Sequence, residues 1–513
     1  MEANVKYYSM NPLQKIGYKI YKFFRNFPSH FISWLKRVGL WFEKVWFNIG
    51  DSLRIYFKAL VDGDWATKLS FLFLGVGSFK RKQYLKGILY LLIEGIFIYF
   101  LITFMIPNFA KLDLQDLVKA ENVYNPDTGK NEWNNYDNTF LILLYSIMSI
   151  ILIIAFIVFY FKSIKSTYNI ELVDRNGGHI NTFKEDANLY LNKKFHVTLL
   201  VLPILGVLVF TVIPLIFMVC IAFTNYDGDH LPPTYLFSWV GWDNFANLFG
   251  GQIVSNFSYA FQKSIWWTFV WAFFATFTNY IGGILLALLI NNKRTRVKKL
   301  WRTLFVITIA VPQFVTLMLI RYFLNNNGIM NTILNQIGLI SWLKSIGAIT
   351  TSYLPFLSDP NWIKVMVIII NMWVGFPYLM LIATGILMNI PNDLYESAKI
   401  DGAGKFKMFS KITMPYMLFV TGPYLISQFT SNFNNFNVIY LLTSGYSTTD
   451  IKLGSVSCSE ADLLVTWLFK LTTEDYDYKM ASVIGIMIFV VSATFTLIAF
   501  GIINNKNKEE RFQ

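Results

Sequence analysis

The chain has 513 residues, of which 55% are apolar, 18% aromatic and only 15% charged. A soluble globular domain carries about a quarter charged residues. This balance excludes an ordinary soluble enzyme, and runs exceeding the roughly 20 residues needed to cross a bilayer predict an all-α polytopic membrane protein.

The formal net charge of +13 is unevenly spread, with 15 Lys/Arg against 5 acids between Met1 and Lys86. A basic, aromatic segment beside a membrane suits an anionic lipid surface; no nucleic-acid-binding motif competes with that reading. Residues 12–60 interleave cations and rings, as in Trp34, Lys36, Arg37, Trp41, Phe42, Lys44 and Trp46, the pattern of a helix lying in the interface. Residues 68–78 are short, apolar and interrupted by Gly75 and Gly77, as in a re-entrant hairpin or a surface anchor. Region 1–80 is therefore expected at the cytoplasmic surface.

Eight spans are predicted, near 87–106, 140–161, 196–223, 264–291, 300–323, 363–389, 417–443 and 479–504. The seventh is the least apolar. The expected organisation is two N-terminal spans over 81–165, a linker at 166–195, a core over 196–504 and a tail at 505–513. The first spanning run begins near residue 87, so the first span is expected to stay and act as the insertion signal. Lys/Arg counts alternate along the loops. Loops 162–195, 292–299 and 390–416 hold 6, 5 and 4, whereas 107–139, 224–263, 324–362 and 444–478 hold 3, 1, 1 and 2. Positively charged loops stay inside, so both termini are expected to be cytoplasmic.

Catalytic chemistry leaves little trace. The four histidines form no metal-ligand spacing. Cys220 and Cys458 make no disulfide framework. Gly402-Ala403-Gly404-Lys405 is too short for a phosphate-binding loop and lacks the following Ser/Thr. The chain is therefore expected to hold no metal and no cofactor and to hydrolyse no ATP itself. Glu94 is the one clear ionisable group inside a span, since Arg321 can snorkel from an outer end. A lone acid on a peripheral span fits a helix contact or lipid edge better than a proton relay. An ion-coupled carrier would make Glu94 essential; a membrane enzyme would need a catalytic cluster that is not seen. The remaining reading is a transporter whose energy comes from a partner.

Span seven carries Ser427, Gln428, Thr430, Ser431, Asn432, Asn434, Asn435 and Asn437. Gln428, Asn432 and Asn435 stand at i, i+4 and i+7, hence on one helix face, beside a second stripe of Phe429, Phe433 and Phe436. Amides pair with hydroxyls and rings cover apolar C–H faces, so a sugar would suit such a wall. Span six repeats the spacing with Asn371, Gly375 and Tyr378, and Pro377 can kink it. Polar residues within membranes also bridge helices, and the residues alone leave both readings open.

The loop between spans six and seven is the most specific feature. It reads Pro391-Asn-Asp-Leu-Tyr-Glu396-Ser397-Ala398-Lys-Ile-Asp401-Gly402-Ala-Gly404, then Ile412-Thr-Met414-Pro415. An N-cap candidate followed by acids opens a helix. Gly402 and Gly404 allow a sharp turn, and Lys405 to Lys411 can form a second helix ending or entering the next span at Pro415. This resembles the EAA coupling loop of binding-protein-dependent ABC importer permeases. Glu396, Ala398, Gly402, Ile412 and Pro415 fall at the pattern's positions, with Ser397 and Met414 as mild departures.

Further stretches resemble the MalF-like, maltose-type members of that family, in a Gram-positive form. They include Val240-Gly-Trp-Asp243, Gly328-Ile-Met-Asn331, Asn371-Met-Trp-Val-Gly375-Phe-Pro377-Tyr378, Asn432-Phe-Asn-Asn435-Phe436 and Asp462-Leu-Leu-Val-Thr466-Trp467-Leu-Phe-Lys470. The resemblance implies a six-helix MetI-like core and a docking loop for an ATPase, comprising Glu396, Ser397, Ala398, Asp401, Gly402, Ile412 and Pro415. It also implies a second, MalG-like permease, two ATPase copies that bind ATP and Mg, and an extracellular sugar-binding lipoprotein. Asn371, Gly375, Tyr378, Asn432 and Asn435 match family positions that contact maltose. Gln428 and Ser431 stand where the maltose protein has Ser and Phe, and Ile309 and Gln313 where it has Tyr and Ser. The expected substrate-binding set is therefore Gln313, Asn371, Gly375, Tyr378, Gln428, Ser431, Asn432 and Asn435. The expected cargo is a malto-oligosaccharide; a galacto-oligosaccharide or raffinose-type sugar is the alternative. A phosphate-bearing cargo is disfavoured, because spans four to eight carry no Lys or Arg away from their ends. The loop 224–263 is too short for the large extracellular domain of enterobacterial members.

Overall fold

The computed structural model describes residues 39–40, 53–249, 255–292, 294–443 and 457–510. Most of the predicted interfacial segment 12–60 lies outside the described residues. The chain divides into two compact units, one of residues up to Leu112 with Leu144–Ile213, the other of Asp113–Leu143 with Pro214–Gln513.

In the first unit, two short helices, α1 (Trp65–Leu69) and α2 (Val76–Lys80), precede the long α3 (Tyr84–Ala110). Gly75 turns the chain with φ +98°, and a Cβ there would strike the backbone of Gly87 on α3. The turn's backbone is satisfied from the long helices. Leu74 N–H donates to the Glu94 carboxylate at 2.7 Å, and Tyr160 O–H donates to the Phe71 carbonyl at 2.7 Å. Glu94 thus holds a helix contact, as a buried acid with a donor partner can. A β-hairpin of β1 (Asn122–Asn125) and β2 (Lys130–Trp133), which belongs to the second unit, pairs Asn122 with Trp133 and Asn125 with Lys130. It lies in the sequence before α4 (Thr139–Arg175), a 37-residue helix whose last part extends past the predicted span. Helices α5 (Phe183–Asn188) and α6 (Phe195–Ile221) follow; Thr182 and Glu185 cap α5 reciprocally.

The second unit adds α7 (Asp243–Phe249), α8 (Ser255–Asn291), α9 (Lys298–Ala310), α10 (Gln313–Phe323), α11 (Ile329–Gln336) and α12 (Leu339–Ser345). Next come α13 (Pro360–Met388), α14 (Asn392–Ile400), α15 (Lys405–Met408), α16 (Met414–Phe433), α17 (Phe436–Thr443), α18 (Leu464–Thr473) and α19 (Tyr478–Glu510). Every predicted span is helical, but two are not continuous rods. Span five is bent by 93° between α9 and α10. Pro312 supplies no N–H, and the preceding Val311 is extended with φ −78° and ψ 126°, the conformation that a following proline enforces. Span seven breaks at Asn434 between α16 and α17.

Among the described residues six helices are long and apolar enough to cross a membrane, or seven with the α9–α10 pair. Helix α16 has the length, with 20 residues, but its amides hold it below the apolarity of the others. The core is built around α8. Gly282 and Gly283 have no room for a Cβ, which would meet Phe376 and Leu379 on α13. Small residues thus let two helix backbones approach where lipid gives no hydrophobic drive for association. Tyr280 joins α8 to Thr421 on α16 at 2.7 Å. Behind them Trp271, Phe433 and Trp467 are fully buried.

Candidate functional site

The loop between α13 and α16 folds as the sequence predicts, into a capped two-helix projection. Helix α14 ends at Gly402, with φ +71°. The Ala403 N–H donates to the Ala398 carbonyl at 2.8 Å and the Gly402 N–H to the Lys399 carbonyl at 3.0 Å. This is the Schellman closure, which satisfies carbonyls the helix end would leave open. Asn392 is the first helical residue and Pro391 occupies the cap position without a side-chain bond, so the expected polar cap is replaced by a proline-preset turn. Helix α15 runs on without a break, through a wider turn at Phe409–Thr413 that contains Ile412, into α16. Pro415 follows directly on this wider turn, inside the continuous helix, where the altered ladder accommodates its missing N–H. The Tyr395 and Thr413 hydroxyls bond at 2.9 Å and tie α14 back to this base.

The projection presents Glu396, Ser397, Asp401 and Gly402 outward, with Ala398 half-buried. Among the described residues neither Glu396 nor Asp401 has a side-chain hydrogen bond or ion pair. Two apolar side chains stand beside them almost bare, Ile400 at 87% and Phe406 at 82% exposure. Apolar tips flanked by unpaired charges make a surface that a partner can cover.

The residues expected to bind substrate separate into three environments. Gln313 and Tyr378 line one open groove of about 530 Å³, together with Thr308, Pro312, Thr316 and Trp373. The right-angle break of span five therefore serves a purpose: it places the Gln313 turn against the exposed face of α13. Tyr378 is 53% exposed, and on α16 the Tyr424 hydroxyl donates to the Gln428 amide oxygen at 3.1 Å. Ser431 is exposed one turn further along α16. These four expected residues offer hydroxyls and amides to the outside of the helix bundle.

Asn371, Gly375 and Asn432 lie in the interior. Asn432 is buried; its side-chain N–H donates to Thr276 at 3.0 Å, and its carbonyl accepts from the Trp271 indole at 3.0 Å. It bridges α16 to α8. A Cβ on Gly375 would run into the Asn279 amide on α8, so this glycine leaves space for another side chain. Beside that contact the Asn279 oxygen and the Asn371 amide nitrogen are both buried without a partner. One is an acceptor and the other a donor, which a hydroxyl or a water could satisfy together. Asn435 is in a third position: its oxygen accepts the Val438 N–H at 3.2 Å and caps α17.

The aromatic stripe belongs to the core. Phe429 stacks on Phe495 at 4.1 Å and Phe433 packs edge-on to Phe269, so neither ring faces outward.

Asn279 and Thr276 were not singled out from the sequence, and Asp462, Thr466 and Lys470 entered only as part of a family-like stretch. Asn279 and Thr276 are polar residues inside span four, the same signal that drew attention to span seven. Asp462, Thr466 and Lys470 form a buried network. The Lys470 ammonium lies 2.6 Å from the Asp462 carboxylate, which also accepts from Ser459 N–H and the Thr466 hydroxyl. Thr466 and Lys470 stand at i and i+4 on α18, and Asp462 precedes that helix.

Known transport proteins match over most of the chain. It is 32% identical over 431 residues to the maltodextrin transport system permease protein MalC of Streptococcus pneumoniae, covering 83% of this chain and 93% of that one. The maltodextrin transport system permease protein MdxF of Bacillus subtilis is 31% identical over 439 residues, with coverages of 85% and 95%. The galactooligosaccharides transport system permease protein GanP of Bacillus subtilis is 32% identical over 431 residues, with coverages of 82% and 93%. Residues 279–509 match the family described as binding-protein-dependent transport system inner membrane component.

Proposed function

The chain belongs to the family of binding-protein-dependent transport system inner membrane components, and from that premise we propose that it is the sugar-translocating permease subunit of an ATP-driven importer of malto-oligosaccharides. Glu396 to Pro415 form the joint that receives mechanical work. A partner ATPase, present in two copies, binds ATP and Mg in its own sites and covers Ile400 and Phe406. A second permease completes the pathway, and an extracellular sugar-binding lipoprotein delivers the cargo. Both termini face the cytoplasm.

The observation that carries this reading is the α14–α15 hairpin. It is fixed at its turn by the Schellman closure and at its base by Tyr395 and Thr413. A rigid projection with bare apolar tips transmits displacement; a loose loop would absorb it. The α15–α16 continuity carries a push on Phe406 into the helix that bears Gln428, Ser431 and Asn432. Alternating access needs such a rigid connection between the energised partner and the half-helices around the substrate.

On the substrate side, Gln313, Tyr378, Gln428 and Ser431 supply hydroxyl-directed hydrogen bonds, and Trp373 offers an exposed ring. No Lys or Arg lines that groove, which favours a neutral cargo. A galacto-oligosaccharide cargo is the second reading, supported by the 32% identity to GanP. The test is uptake of labelled maltotriose by cells with and without the gene, with unlabelled malto- and galacto-oligosaccharides as competitors. Loss of uptake with the gene, competed best by malto-oligosaccharides, is expected. Unchanged maltotriose uptake would overturn the malto-oligosaccharide assignment.

A further inference from the structure

A cavity lined wholly by residues of the first unit shares no residue with the groove at Gln313 and Tyr378. It encloses about 820 Å³ where the start of α3 meets the last third of α4 and the α5 segment. Lys82, Lys86 and Lys162 line it, against one carboxylate, Asp186. Lys86 is partly occupied, 3.9 Å from Asp186 and 3.3 Å from the Ser166 hydroxyl. Lys82 and Lys162 have no ion-pair partner among the described residues, and Lys82 is held at φ +60°. Lys162 also lines a shallow depression that continues from the cavity and adds Lys165.

Gln83 sits in the wall with only 8% exposure. Its amide nitrogen donates to the Asn181 carbonyl at 2.8 Å, while its oxygen is buried without a donor. A buried unpaired acceptor in the wall of a basic cavity needs a donor, which a ligand hydroxyl reaching that wall would bring. The mouth is apolar: Leu85, Leu89 and Ile93, at helical spacing on α3, are all exposed. The site thus combines cations for a phosphate, an acceptor for a hydroxyl, and an apolar track one helix turn away on a membrane-spanning helix. It also lies at the end of α3 and α4 that carries the Lys/Arg-rich loop 162–195.

We propose that this cavity binds the headgroup of one anionic glycerophospholipid of the phosphatidylglycerol type. Lys82 and Lys162 hold the phosphate, Gln83 accepts from the glycerol hydroxyl, and an acyl chain lies along Leu85, Leu89 and Ile93. Basic pockets between membrane helices on the cytoplasmic side recognise anionic headgroups in this way. A free phosphate ester shares the charge chemistry but cannot use the apolar track.

The test is native mass spectrometry of the full-length chain in neutral detergent, titrated with phosphatidylglycerol or phosphatidylcholine. One saturable phosphatidylglycerol adduct is expected, with phosphatidylcholine at least tenfold weaker. The double substitution Lys82→Gln/Lys162→Gln is expected to weaken the adduct roughly tenfold or more. The matched charge removal Lys119→Gln/Lys344→Gln should leave it unchanged. A single Gln83→Leu variant, which keeps every charge, should lower the preference for phosphatidylglycerol over phosphatidic acid, which lacks the headgroup hydroxyls. Equal binding of both lipids, equal loss in the control variant, or full competition by soluble glycerol 3-phosphate would each overturn the proposal.

Discussion

Two glycines mark two regions of the second unit, and they are glycines for opposite reasons. At Gly402 a Cβ would meet nothing within 4 Å, but φ is +71°; the backbone demands glycine and the space does not. At Gly375 the backbone is ordinary helix, but a Cβ would collide with Asn279; the space demands glycine and the backbone does not. The same division runs through their surroundings. Around Gly402 the charges are outside and unpaired. Around Gly375 the polar groups are inside: Asn432 is bonded to Thr276 on α8, while the Asn279 oxygen and the Asn371 amide nitrogen are buried without a partner. A region built for a partner leaves its charges unpaired at the surface, whereas a region between packed helices hides its polar groups and leaves only a few to be met by a hydroxyl or a water.

The sharpest break of that contrast is at the hairpin. Deleting 396–404, or placing valine at Gly402, should abolish coupled uptake. The protein should remain at normal abundance in the membrane, because nothing in the interior touches the change. A β-branched residue at positive φ is strained by about 1–3 kcal/mol, enough to open the turn but spent on a surface element. Uptake and membrane abundance measured on the same cells check this; a protein lost from the membrane would contradict the separation of the two regions.

The buried network comes next. Lys470→Met leaves Asp462 charged and buried with its ammonium removed. Breaking such a pair from one side costs about 3–5 kcal/mol, so thermal stability in detergent should fall strongly. Asp462→Leu combined with Lys470→Met should recover much of the loss, since an apolar pair carries no desolvation penalty. A double substitution as unstable as the single one would show that the packing, not the charge, holds α18.

These two cases also show how much was legible in the sequence. The hairpin could be read in large part through local rules, above all the left-handed glycine at Gly402, but the polar cap gave way to Pro391 and Pro415 sits within a continuous helix. The spans could be placed because apolarity is a property of one segment at a time. The fate of each polar residue in span seven could not be read. Asn432, Asn435 and Gln428 share a face at i, i+4 and i+7, yet one bridges to Thr276, one caps α17 after the break at Asn434, and one holds Tyr424. Periodicity gives a face but not what packs against it. The Phe429 and Phe433 stripe turned inward for the same reason.

Gly375→Ala is the intermediate test. The added methyl meets the Asn279 side chain, and overpacking of this kind costs about 1–3 kcal/mol. Asn279→Ala should relieve it, so the double variant is expected to be more stable than Gly375→Ala alone. Asn432→Leu should behave as a stability change of about 1–3 kcal/mol, because Thr276 is left without its donor. Gln313→Ala and Tyr378→Ala should instead leave the melting temperature within the range of surface changes and alter the uptake constants for sugars. If Asn432→Leu changed sugar selectivity at unchanged stability, the interior would be part of the pathway and the division drawn above would fail.

The smallest expected effect carries the contrast into the first unit, where Asp64 is a paired surface carboxylate, unlike Glu396 or Asp401. Burial works to raise its pKa, but the hydrogen bonds from Lys80 and the Thr67 amide, with the Arg81 charge, outweigh it and hold the carboxyl at about 2. A carboxylate depressed below its ordinary value contributes stability above its unfolded pKa and loses it as pH falls through the folded one. The local structure of α1 and α2 should therefore be constant above about pH 5 and loosen progressively between there and about pH 2. Hydrogen exchange of residues 64–81 in the detergent-solubilised chain reads this directly. In Asp64→Asn the same segment should exchange faster at neutral pH and lose most of its acid dependence. The equivalent change at Asp401, which has no ion pair or side-chain hydrogen bond among the described residues, should leave the protection of its own hairpin at neutral pH the same as in the unaltered chain.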